Sequence, residues 1–145
     1  MTPVDLLFDL NDRQIIRANG SRGIGRRYGR RWYDPTGPRR RALRQRAWIH
    51  GTDLVNSRRL ATPVFRLALV RVYVAYPKGT GRADPGNMAP TVKPLIDGLT
   101  VAGLWEDDDS RHLVGPDYRR DPNNPDRRHW TVRIHITETA TTEGE

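Results

Sequence analysis

Residues 64–76 carry the strongest strand signal in the chain, and they limit the kind of fold it can adopt. Phe65, Leu67, Leu69 and the run from Val70 to Tyr76 are rich in β-branched and aromatic side chains, and Pro77 closes the run. A strand this apolar needs cover on at least one face, and two segments with helical spacing flank it. From about Pro38 to His50, the residues Leu43, Ala47 and His50 share one face and arginines take the other. Pro38 suits a first turn and Gly51 is a natural stop, with a short continuation through Leu54 and Val55 left open. Downstream, Val92, Leu95, Ile96, Leu99 and Ala102 repeat at helical spacing as far as Gly103. There Thr91 reads as the N-cap and Pro94 falls within the first turn, where its missing N–H costs little.

Weaker extended pieces complete the outline. Val4 to Leu10 alternates imperfectly and reads as an opening strand. Leu113 and Val114 begin a short extended piece, followed by polar loop over residues 115–128. Trp130, Val132, Ile134 and Ile136 alternate with polar neighbours, the pattern of a half-buried strand. The expected class is therefore α+β, a small single domain with a mixed β-sheet flanked by helices over residues 1–137. Residues 138–145 read as a flexible C-terminal tail.

Charge is unevenly placed along this outline. Residues 17–46 hold 11 arginines and one acid, Asp34, in a chain of net charge +8. The loop of residues 17–38 also sets Tyr28, Trp32 and Tyr33 among its arginines. Arginines grip phosphates and aromatic rings stack on exposed bases, so this loop is the expected DNA contact. Arg22, Arg26, Arg27, Arg30, Arg31 and Trp32 in this loop, with Arg39 and Arg40 just beyond it, are the candidate residues. Trp105 and Trp130 read instead as core or dimer packing. The chain has no cysteine, which excludes disulfides and thiolate zinc sites. No apolar stretch approaches a membrane span and no signal-peptide pattern opens the chain, so a cytoplasmic location without a membrane partner is expected.

Against this basic background stands Glu106-Asp107-Asp108-Asp109. Adjacent carboxylates at ~4 Å repel by about 1 kcal/mol in water and by about 4 kcal/mol near a protein surface. Taken alone, the run reads as a solvated turn. A divalent cation offsets such repulsion, and hard cations prefer carboxylate oxygens. Two further pieces precede the run: Asp84-Pro85-Gly86-Asn87 after the strong strand, then Lys93 and Asp97 on the second helix. A lysine in a first helical turn opposes the macrodipole, and Lys93 before Asp97 is the less favourable order for an i,i+4 pair. A phosphate-facing role explains Lys93 better than local stability does.

In order and character, Asp84, Asn87, Lys93, Asp97, Leu99, Gly103, Trp105 and Asp107-Asp108-Asp109 resemble the RusA family of Holliday-junction resolvases, in the form common in phages and prophages. The match is strongest over residues 82–114 and colinear outside them. Two departures stand out: Gly86 occupies the position of the pattern's second Asp, and the gap from Asn87 to Lys93 is three residues longer. The resemblance implies a Mg²⁺-dependent endodeoxyribonuclease, with Mn²⁺ as a substitute. It also implies a homodimer cutting four-way DNA junctions by paired symmetric nicks, in a bacterial or phage-infected cell. It implies Asp84, Lys93 and Asp108 as catalytic residues and Asp84, Asp107, Asp108 and Asp109 as metal ligands, with the choice within the acidic run open. Asn87 would orient Asp84 or make an Asx-turn, and Asp97 would support the site. Two other functions stay open: a structure-selective DNA-binding protein weakened in catalysis, and a nuclease of broader taste for branched DNA.

Overall fold

The computed structural model describes residues 2–17, 26–28, 31–33, 35–124 and 128–140, with backbone alone for residues 26–28 and 31–33. Four strands form a mixed sheet in the order β1-β6-β4-β5, where β1 is Val4–Leu10, β4 is Ala68–Ala75, β5 is Leu113–Arg120 and β6 is Trp130–Glu138. The strands β1 and β4 both run antiparallel to β6, and β4 and β5 run parallel. A parallel pair needs a crossover, and the helix α2 (Ala89–Ala102) supplies it. A second helix, α1 (Gly37–Ser57), packs beside α2. Between β1 and α1 lies a separate two-stranded ribbon, β2 (Arg26–Tyr28) with β3 (Arg31–Tyr33). The fold is thus the expected α+β domain with a mixed sheet.

Alternation decides which sheet face the helices cover. Val4, Leu6, Phe8 and Leu10 of β1 are buried, as are Val70, Val72 and Val74 of β4 and Val132, Ile134 and Ile136 of β6. They form one core with Leu43 and Ala47 of α1 and Val92, Leu95, Ile96 and Leu99 of α2. Each such aliphatic side chain contributes about 1.5–3 kcal/mol when fully buried. The opposite face carries polar pairs such as Asp5 with His135 at 2.8 Å and with Arg133 at 3.1 Å.

Several boundaries differ from the sequence reading, each for a packing reason. Gly51 does not stop α1. A Cβ there would sit 2.8 Å from Ala102 Cβ, so the glycine lets the two helices touch. Thr91 is not the N-cap of α2, which begins at Ala89. Pro94 lies beyond the first turn accordingly. The strong strand begins at Ala68 rather than 64, because Val64 and Phe65 bond instead to the carbonyls of Gly103 and Leu104. The helix α2 ends where expected, at Gly103, whose φ of 91° is the left-handed turn that glycine favours. Residues 115–120 are strand and not loop. β5 is an edge strand, which tolerates Pro116, and Gly115 lies at a register shift against β4 where a Cβ would meet Val70 O at 2.5 Å. Glu138, read as part of the tail, ends β6 instead, and its carboxylate accepts from the amides of Arg66 and Leu67. Residues 141–145 lie outside the described residues.

Candidate nucleic-acid interface

The interface is built around one buried hydroxyl. Thr91 Oγ1 accepts from Ile16 N at 2.8 Å and donates to Ile16 O at 3.0 Å. Both backbone groups of Ile16 are buried, so this side chain satisfies them as a neighbouring strand would. It bolts the segment of residues 15–17 across the start of α2. Arg39 adds a bond from its guanidinium to Ile15 O at 3.2 Å. A groove opens on each side of the bolted segment.

The first groove lies between the helices. On α1, Arg40, Arg41 and Arg44 stand on a common exposed face. On α2, Pro90, Lys93, Pro94 and Asp97 repeat at i, i+3, i+4 and i+7, which is one stripe of a helix. Gly98 makes the close approach possible. A Cβ there would lie 2.2 Å from Arg44 O. The groove therefore carries three arginines against one lysine–aspartate pair.

At its α2 wall the groove meets the acidic run. Lys93 Nζ donates to Asp97 Oδ1 at 2.8 Å and also to Asp108 Oδ2. The hydrogen bond donated to Asp108, then that to Asp97, raises the Lys93 pKa above its usual value. Lys93 in turn lowers that of Asp108. Asp107 Oδ1 accepts from Asp108 N at 2.7 Å and so shapes the turn. Asp109 lies 2.7 Å from His112 Nδ1, and Glu106 is 3.1 Å from His112 Nε2. Each of the four acids thus has a partner, with Glu106 and Asp109 sharing His112, which relieves the repulsion that made the run conspicuous in sequence.

Asp84 stands elsewhere. Its Oδ1 accepts from Gly86 N at 2.9 Å and caps the short turn Pro85–Met88. It lines the second groove, with Asn87, Tyr76, Arg82, Arg17 and Trp130. The reason is topological. The acidic run leads into β5, whose Leu113 pairs with Ala68 at the start of β4, whereas Asp84 follows the end of β4. Among the described residues, no group of three or more His, Asp or Glu side chains is placed to hold a metal ion. The expected gathering of Asp84 with Asp107, Asp108 and Asp109 is not seen, while Lys93, Asp97 and Asp108 do come together.

Of the expected DNA contacts, Arg39 and Arg40 are exposed on α1. Arg26, Arg27, Arg31 and Trp32 lie on the β2–β3 ribbon, described by backbone only, and Arg22 and Arg30 lie outside the described residues. Trp105 is core, at 1% exposed. Trp130 is half-buried; it packs against the core, and it also lines the second groove. Sequence reasoning missed Arg41, Arg44, Thr91, Tyr76 and Arg82. The matching helical stripes of α1 and α2 were the available signal for the first two.

No family model and no curated protein sequence matches the chain. Among the described residues, no helix is long and apolar enough to cross a membrane.

Proposed function

We propose that this chain binds branched DNA and cuts it as a metal-dependent endonuclease of the RusA type. The observation that supports this best is the arginine groove ending at the Lys93–Asp97–Asp108 cluster. A sugar–phosphate backbone laid along Arg40, Arg41 and Arg44 reaches Lys93, an ammonium that can stabilise charge developing on a phosphate. Lys93 is otherwise held between two carboxylates, so it stays protonated and aimed at the groove.

The donor chemistry suits a hard divalent cation: Asp107 and Asp108 offer neighbouring carboxylates on an exposed turn. Those two residues would hold it, with Asp109 as the further donor implied by the resemblance; Asp84, which the resemblance also implies, caps the Pro85–Met88 turn at the other groove. When bound, such a cation lowers the pKa of a water and polarises a phosphoryl oxygen. Asp97 shares Lys93 with Asp108 and so positions it. Paired nicks require two such sites related by a two-fold axis, which a homodimer provides.

The test is a synthetic four-way junction incubated with the full chain and Mg²⁺ or Mn²⁺. Symmetric nicks are expected, absent without the cation and lost in Asp108→Asn while binding persists. Equal cutting by Asp108→Asn refutes the site, and comparison with flaps, forks and plain duplex defines the preferred branch. A second reading is junction binding without cleavage. It is favoured by Gly86 at the motif's second acidic position and by the separate placement of Asp84. Tight binding with no nicks in either cation would establish it.

A further inference from the structure

We propose that the second groove receives an unpaired nucleobase of the bound DNA, a reading that rests on the DNA function above. This groove is about 580 Å³, within the range of small-ligand sites. Its walls combine what a nucleotide needs. Tyr76 and Trp130 are half-buried rings that line it. The Arg17 guanidinium lies over Trp130, 5.9 Å from the ring centroid, and Arg120, outside the groove lining, lies over Tyr76 at 5.2 Å. Stacked rings and guanidinium groups of this kind accept bases of any sequence.

Arg17 and Arg82 are cationic lining residues, and Asp84 is an anionic one. Arg17 also pairs with Asp12 at 3.7 Å. The Asn87 amide and Thr80 hydroxyl in the lining offer donors and acceptors to the edge of a neutral base. Parity in β6 explains why Trp130 is available. It shares the helix-side face with Val132 and Ile134, but at the strand's first position, where the sheet ends.

Position links this groove to the other. Ile15 and Arg17 line the base groove, and Ile16 between them lines the arginine groove. A strand tracking Arg44, Arg41 and Arg40 needs to pass only the bolted segment to place its next base beside Tyr76. Branch points supply such a base, because stacking is interrupted there.

The experiment uses the full chain, a four-way junction and no divalent cation, so the readout is independent of cleavage. 5-Iodouracil is placed in turn at each thymine position flanking the branch, irradiated, and the crosslinked peptides are identified by mass spectrometry. The expected result is a crosslink to Tyr76 or Trp130 from a branch-flanking position. Tyr76→Leu should lower affinity for a short single-stranded oligothymidine about tenfold, with Tyr76→Phe restoring it and circular dichroism unchanged in both. Crosslinks confined to other residues on a bound junction would overturn the base site and leave the DNA reading standing. Failure to bind any DNA would overturn both.

Discussion

Replacing Arg40, Arg41 and Arg44 together by Ala tests the arginine groove quantitatively. All three side chains are exposed, and Ala favours helix, so α1 should persist. Lys93 also lines the groove, but Asp97 and Asp108 already neutralise it. The groove therefore offers its three arginines, Arg40, Arg41 and Arg44, to phosphates. Each neutralised phosphate contributes about 0.9 to the slope of log affinity against log salt, so the variant should lose about 2.7 from that slope. Between about 50 and 200 mM salt, those three contacts account for about a 40-fold fall in wild-type affinity that the variant should no longer show. Fluorescence anisotropy of a labelled four-way junction, without divalent cations, measures both slopes. Arg58→Ala with Arg66→Ala removes the same kind of charge away from the groove and serves as the control. Parallel lines for wild type and the triple variant would refute the groove as a phosphate track, whatever the absolute affinities.

Two further substitutions test the scaffold that holds the grooves. Thr91→Val leaves the buried N–H and C=O of Ile16 without their partner and should cost about 1–3 kcal/mol in urea denaturation; an unchanged midpoint would show that the bolt is not needed. Gly98→Ala drives a Cβ to 2.2 Å from Arg44 O and should destabilise by about 1–3 kcal/mol or more as the helices part, whereas Gly81→Ala meets nothing within 4 Å and should be close to neutral. Equal melting temperatures for those two variants would refute the helix-contact argument.

Three of the four sheet strands and both helices were legible because alternation and helical spacing are local signals. Val70 to Tyr76 and Trp130 to Ile136 announce themselves by side-chain type alone. What escaped depends on partners distant in the chain. Gly51 looks like a breaker until a second helix lies against it. Gly115-Pro116 looks like a loop until it is seen on an edge strand beside β4. Thr91 looks like a cap because a short hydroxyl before an apolar helix usually is one, yet its partner is Ile16, 75 residues away. The site divided in the same way. The link from Lys93 to Asp97 and Asp108 reflects helical spacing plus a short return of chain. Asp84 took a local cap at Gly86, a competition that an Asp-Pro-Gly sequence invites.

The Lys93–Asp108 pair also fixes a pH dependence with a definite sign. Its folded-state Asp108 pKa lies below 3.8, so its contribution to stability is present above that value and is lost as pH falls through the lower one. Lys93 is raised above 10.5, so its contribution is complete below that value and lost as pH rises through the higher one. Between these limits the pair is fully charged. The side chains are 61% and 32% exposed, so solvent screening keeps the stabilisation below about 1 kcal/mol. The value of the pair lies in its charge state: Asp108 remains ionised across neutral pH. Any loss of DNA cutting between about pH 8 and pH 5 must then arise from another group. In Lys93→Gln, Asp108 loses the hydrogen bond that lowers it most, and its carboxyl should titrate at higher pH. Carboxyl carbon chemical shifts followed by NMR in the two proteins measure this directly. Coincident Asp108 titrations would show that Lys93 does not hold the carboxylate in its ionised form.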